Sequence, residues 1–116
     1  MPRYITLIYG NEAEAPAANT AERAKMHEDY GVYTQDLMKA GIMKAGDALL
    51  PSSTATTVRV REGKTLTTDG PFAETKEQLG GFYIFECGDL DQAIEWAAKM
   101  PGAHTGSIEV RPIMEM

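Results

Sequence analysis

A chain of 116 residues is the usual size of one domain, and residues 1–116 read as a single domain able to bury a core without disulfide or metal. With 43% apolar and 24% charged residues, the composition is globular rather than disordered. A net charge of −6 argues against a nucleic-acid binder, and no apolar run approaches the ~20 residues of a membrane span.

The opening Met1-Pro2-Arg3-Tyr4-Ile5 leads straight into a strand without the apolar region of a signal peptide, so a cytoplasmic location is expected. That strand, Tyr4 to Tyr9, is largely apolar on both faces: Ile5, Leu7 and Tyr9 on one, Tyr4, Thr6 and Ile8 on the other. An acidic, alanine-rich loop follows. Asn19, with Glu22 three residues on, is expected to cap a first helix. Met26, Tyr30, Tyr33, Leu37 and Ala40 recur at helical spacing and form its apolar stripe. Gly31 inside this helix is expected to mark close packing against a sheet, and Gly41 ends it.

Ile42 to Leu50, interrupted by Gly46, reads as a bulged second strand. Thr56 to Arg61 and Thr65 to Thr68 flank the turn Glu62-Gly63-Lys64 and read as a hairpin. Gly81 to Cys87 is a strongly apolar strand, and Cys87, the one cysteine, reads as a small buried side chain. Asp89, with Gln92 three residues on, caps a second helix whose stripe is Leu90, Ala93, Ile94, Ala97 and Met100. Trp96 is expected to anchor that helix on the sheet. Pro101-Gly102 stops it, and Ile108 to Ile113 is the last strand.

The order β-α-β-(hairpin)-β-α-β specifies an α+β fold: a ferredoxin-like, split βαβ antiparallel sheet with both helices on one face. Helices on one side leave the other face open. Tyr4, Ile8 and one face of Phe82-Tyr83-Ile84-Phe85 are then expected to lie exposed in a monomer, which points to a homodimer packed sheet to sheet.

The run Asp69-Gly70-Pro71-Phe72-Ala73-Glu74-Thr75-Lys76-Glu77-Gln78-Leu79-Gly80-Gly81-Phe82-Tyr83 resembles the signature of the DGPF branch of the YCII-related family. Asp89 to Ala97, Pro101-Gly102-Ala103 and Glu109-Val110-Arg111-Pro112 also resemble it, so the likeness spans nearly the whole chain. It implies a dimeric α+β barrel built from ferredoxin-like halves. It also implies a histidine–aspartate pair in a cavity, for which His27 and Asp47 lie in the right regions without matching the family's spacing. Members of this branch resemble companions of extracytoplasmic-function sigma factors, which implies a possible sigma-factor association but no mechanism.

Read from the residues themselves, Asp69 is the leading site candidate. Its carboxylate is placed either to act as a general base or cation ligand, or to cap the turn at Gly70-Pro71. Pro71 is a candidate for a cis bond. Phe72 plugs the core or stacks on a ligand. Glu74, Lys76 and Glu77 read as a charged lip or as a solvated loop, and Gly80-Gly81 either lets the lip close or forms a bulge before the strand. Arg59, Arg61, Glu109 and Arg111 share the less apolar strand faces, where Arg59 or Arg111 can hold a carboxylate or phosphate unless they serve cross-strand ion pairs. His27, beside Met26, is a possible acid/base partner for Asp69. With no P-loop, GxGxxG, nucleophile elbow, CxxC or metal-ligand spacing, no cofactor is expected. Two functions stand: a small-molecule-binding protein, with cofactor-independent acid/base catalysis as its enzymatic form, and a regulatory or interaction module without catalysis.

Overall fold

The structure, a computed structural model, describes residues 1–116. Its strands are β1 (Arg3–Gly10), β2 (Met43–Ala48), β3 (Thr56–Arg61), β4 (Lys64–Asp69), β5 (Gln78–Glu86) and β6 (Ser107–Pro112). Its helices are α1 (Ala21–Lys39) and α2 (Leu90–Ala98). Four strands form one antiparallel sheet in the order β2-β5-β1-β6, the ferredoxin-like arrangement. The remaining two, β3 and β4, form a separate hairpin. Every peptide bond is trans, including the one before Pro71.

Period-two alternation decides which side chains meet the helices. On β1 these are Tyr4 and Thr6, both buried, with Ile8 packed against the same core; on β5 they are Tyr83 and Phe85. Ile108 and Val110 supply the β6 contribution. From the helices come Tyr33, Leu37, Ala93, Ala97 and, just beyond α2, Met100. The exposed set is therefore not the one expected. Tyr4 and Ile8 lie under the helices, and the open face carries Ile5, Leu7 and Tyr9 of β1 with Phe82 and Ile84 of β5.

The polar groups within this core are satisfied locally. Thr6 Oγ1 donates to the Tyr83 carbonyl at 3.0 Å, and Tyr33 donates from its phenol to the Trp96 carbonyl at 2.7 Å. Tyr83 and Thr34 share a hydroxyl–hydroxyl bond of 2.7 Å, and the Gly102 N–H donates to the Tyr30 phenol. Tyr33 sits edge-on to both Tyr83 and Trp96. Trp96 packs against the core and joins α2 to α1 through Tyr33, with the Lys99 ammonium over its ring. Gly46 leaves room for this packing, because a Cβ there would stand 2.6 Å from the Tyr83 ring.

The helix ends depart from expectation at one point. Thr20, not Asn19, caps α1 by accepting from the Arg23 N–H, and Asn19 takes a positive φ of 68° ahead of it. Asp89 caps α2 as its sequence specifies, accepting from the Gln92 N–H. Leu90 and Ile94 turn away from the core and are about half exposed, so the buried stripe of α2 narrows to Ala93 and Ala97. Cys87 is buried, and burial pushes its thiol above the usual range. No helix is long and apolar enough to cross a membrane.

Gly31 does not approach the sheet; it is exposed, and a Cβ there meets nothing within 4 Å. Gly31→Ala is therefore expected to stabilise the protein by about 0.5–1 kcal/mol, read by chemical denaturation. Burial raises the ionisation of the Tyr30 and Tyr33 phenols above their ordinary value of 10.0. A pKa raised on folding gives stability that is complete below the unfolded value and lost as pH rises towards the folded one. Unfolding free energy is thus expected to fall above about pH 10, and Tyr33→Phe should flatten that decline.

Candidate functional site

The hairpin β3–β4 stands off the end of the sheet as an arm. Its turn, Glu62-Gly63, has φ of 53° and 75°, the two positive values of a tight two-residue hairpin loop. The two strands make their principal contacts with each other rather than with the sheet. The radius of gyration is accordingly 16.1 Å, against about 13 Å for a compact chain of this length. Directly opposed residues share a face, so the register sorts the arm's side chains. Thr56, Val58 and Val60 lie with Asp69, Thr67 and Thr65; Thr57, Arg59 and Arg61 lie with Thr68, Leu66 and Lys64.

The arm returns to the sheet through residues 70–77, which are fixed at both ends and free in the middle. At the first end the Gly70 N–H donates to the Ala55 carbonyl at 2.7 Å, and Thr57 Oγ1 donates to the Gly70 carbonyl at 2.8 Å. At the second, Gln78 Nε2 donates to the Thr75 carbonyl while Gln78 Oε1 accepts from the Glu12 N–H at 2.9 Å. The Glu12 carboxylate in turn accepts from the Ser52 N–H and hydroxyl, both at 2.7 Å. Ser107 donates to Glu77 at 2.8 Å. Glu77 therefore belongs to an anchor, not to a moving lip. Between the anchors Pro71, Phe72, Ala73 and Glu74 are exposed.

Asp69 closes β4, opposite Thr56. The turn after it is made by backbone groups and the Thr57 hydroxyl, and the Asp69 carboxylate has no hydrogen bond or ion pair within the chain. It does not cap the turn. Phe72 is 79% exposed and plugs nothing in its own chain. Lys76 is exposed on the same segment and forms no ion pair. These three make up the candidate site at the root of the arm.

The other candidates lie elsewhere. Arg59 is on the arm face opposite to Asp69. Arg111, paired with Glu109 on its own strand, lies across from Ile5, towards the end of the sheet away from the arm. His27 is exposed on α1, its Nε2 accepting from Arg23 Nε at 3.2 Å. Arg23 also donates to the Pro16 carbonyl, so His27 belongs to a helix-start cluster. Asp47, opposite Phe82, lies on the open face, with the sheet between it and the helix layer that carries His27. A single chain therefore pairs neither Asp69 nor Asp47 with His27, and it does not bring Arg59 to Arg111.

Two open, shallow depressions flank α2, and neither touches residues 69–78. One lies between α1 and α2 beside Val32, Tyr33, Asp36 and Trp96. The other, wholly apolar, lies between α2 and β6 beside Ile94, Ala97, Ile108 and Val110. No group of three or more His, Cys, Asp or Glu side chains is close enough to hold a metal ion. The clamp through Glu12, Ser52, Gln78 and Ser107 was missed by sequence reasoning. Its members are up to 66 residues apart in direct bonds, and no local pattern signals them.

The sequence matches the YCII-related domain over residues 2–116. An uncharacterized protein of Rhizobium meliloti (strain 1021) is 38% identical over 112 residues, covering 95% of this chain and 90% of that protein. The chain belongs to the YCII-related family.

Removal of the clamp tests the root of the arm. Glu12→Ala deletes two charge-assisted hydrogen bonds at an exposed position, so a loss of about 1 kcal/mol is expected. Faster hydrogen exchange and proteolysis should be confined to residues 50–54 and 70–78, while the amides of β1 and β5 stay protected.

Proposed function

We propose that this protein is a member of the family's DGPF branch that binds a small molecule at the root of the arm, as a homodimer in a cytoplasmic setting. One observation carries the reading: Asp69, Phe72 and Lys76, all without partners in their own chain, occupy a short segment pinned on both sides. A carboxylate, an aromatic ring and an ammonium within eight residues suit a ligand with a flat apolar body and polar ends. Functional groups on a loop held by a rigid scaffold are the usual way a fold presents a site. Asp69 is the acid/base candidate where turnover occurs, since a carboxylate free of structural bonds can take or give a proton.

The homodimer reading draws on the open face of the sheet. Ile5, Leu7, Phe82 and Ile84 form its apolar centre. Apart from Asp47, the charges around them are matched in pairs, Arg3 with Glu115, Lys44 with Glu86 and Arg111 with Glu109. Two chains that each carry −6 repel one another overall, so a self-complementary contact favours an apolar, internally neutralised face of this kind. A second reading, a regulatory module without catalysis that acts with a sigma-factor system, is favoured by the apolar side chains the arm exposes.

Asp69→Asn separates the two. Under the first reading the variant keeps its melting temperature, because Asp69 supports no structure, and loses a small-molecule adduct seen by native mass spectrometry of protein purified gently from its source. An adduct retained at full stoichiometry would remove Asp69 from the site. An empty wild-type dimer that captures a transcription protein would favour the second.

A further inference from the structure

The four-stranded sheet has two outer edges, and they differ. β2 is interrupted by a register shift between Met43 and Ala45 and carries Lys44 and Asp47, which spoil it as a template for another strand. β6, the opposite edge, pairs with β1 from Ser107 to Pro112 without a shift. The Ile113 N–H donates to the Arg3 carbonyl at 2.9 Å, and this fixes the alternation along the ladder. Ser107, Glu109 and Arg111 turn their backbone groups to β1; Ile108, Val110 and Pro112 turn theirs outward. Pro112 has no N–H to present, so Ile108 and Val110 supply the donors of this rim.

Beside the rim lies the wholly apolar depression between α2 and β6. Ile108 and Val110 form its floor, and Ile94, Ala97 and Ala98 its wall. Ile94 is 49% exposed there, and Leu90, one helical turn earlier on the same flank, is 45% exposed. Helical spacing puts Asp91 and Glu95 on the next row outward. Both are exposed and neither forms an ion pair; Lys99, four residues on from Glu95, is held over the Trp96 ring instead. An unpaired edge, an apolar groove and an acidic rim therefore coincide on one side of the molecule.

We propose that β6 and α2 together receive an extended, basic segment of a different protein, added to the edge of the sheet as a further strand. Its main chain bonds to Ile108 and Val110. The side chains directly opposite these two point to the helix layer, because opposed residues share a face. Branched apolar residues at those positions fill the groove against Leu90 and Ile94. Lysine or arginine two residues to either side stays on the same face and reaches Asp91 and Glu95. In strand addition the main-chain bonds supply affinity, and the pockets for alternate side chains supply selectivity. The β6 of a second copy fits less well: it brings a second acidic α2 against the first, and its one cation, Arg111, is already paired with Glu109. The proposal rests on neither the Asp69 segment nor an assembly through the open face.

The probe is the peptide Lys-Ser-Val-Thr-Val-Ser-Lys, acetylated and amidated. It is compared with an analogue carrying Glu in place of Lys, and with a form N-methylated at both valines, which cannot donate. Amide NMR and hydrogen exchange on the wild-type protein read binding. The lysine peptide is expected to shift the Ile108 and Val110 amides and to slow their exchange about tenfold or more at saturation, while the amides of β3 and β4 stay unchanged. The glutamate analogue should bind about tenfold or more weakly at low salt, with the gap closing at high salt. The N-methylated form should protect nothing. Ile94→Ser and Asp91→Asn/Glu95→Gln, at exposed positions, should each weaken the lysine peptide while circular dichroism and melting show the fold retained. Ile108 and Val110 amides that ignore millimolar lysine peptide would overturn the proposal. Equal binding of the glutamate analogue would overturn the basic partner. Protection of the same amides without peptide, rising with protein concentration, would show the edge closed by a second copy and overturn the proposal as well.

Discussion

Two helices can cover one face of a four-stranded sheet and no more. In this chain that face receives Tyr4, Thr6, Tyr83, Phe85 and Cys87, while Tyr33 and Leu37 of α1 and Ala93 and Ala97 of α2 close over them. Alternation along a strand then dictates the other face without further choice, because a residue whose neighbours point at the helices points away from them. Ile5, Leu7, Phe82 and Ile84 are apolar at positions where a sheet solvated on one side usually carries polar groups. The register that builds the core is the same register that leaves an apolar surface unpartnered, and a one-residue slip would exchange the two roles rather than remove either.

The arm follows from the same economy. The chain from β2 to β5 could have turned directly, since the two strands are neighbours in the sheet; it runs instead out along β3 and back along β4. Nothing in the core requires that detour. Its root, however, is held by bonds that reach across the sequence, from Glu12 to Ser52 and Gln78 and from Ser107 to Glu77. Fixing these loops costs conformational entropy, which those bonds offset in part. The arm's Val58, Val60 and Leu66 accordingly stay about half exposed or more in a single chain.

The sequence shows its strands and helix ends where the chemistry is local. Asp89 with Gln92 three residues on, Gly41 after a helical stripe, and Glu62-Gly63 between β-branched runs each act within a few residues, and each appears in the structure as read. Legibility fails where the deciding contact is distant or where two local signals compete. Asn19 and Thr20 are both good caps; Thr20 takes the role because Asn19 tolerates the positive φ that turns the loop into the helix. Leu90 and Ile94 fit a helical stripe equally well, but α2 is only nine residues long and meets the sheet along its small side chains, so the larger ones fall outside. Both faces of β1 are apolar, so sequence could say that two surfaces exist and not which one the helices choose. At the site, Asp69 and Phe72 stand out by composition, whereas the Glu12 clamp that fixes their segment depends on partners 40 and 66 residues away.

The sheet also sorts the candidate residues by which of them can ever act together. Asp47 and Arg111 lie on the open face, and Asp69 lies on the valine face of the arm; His27 lies in the helix layer. Packing of two copies through the open face, as proposed, would place both helix layers on the outside, drawing the first three towards the seam and carrying His27 away from it. An acid/base role for Asp69 at that seam would therefore be completed by groups such as Tyr9 or Asp47 of the open face, and not by the histidine that composition alone offers. The same geometry gives Arg23 its place. By bonding both His27 and the Pro16 carbonyl, it ties the start of α1 to the preceding loop, which is reason enough for a histidine there without any chemistry.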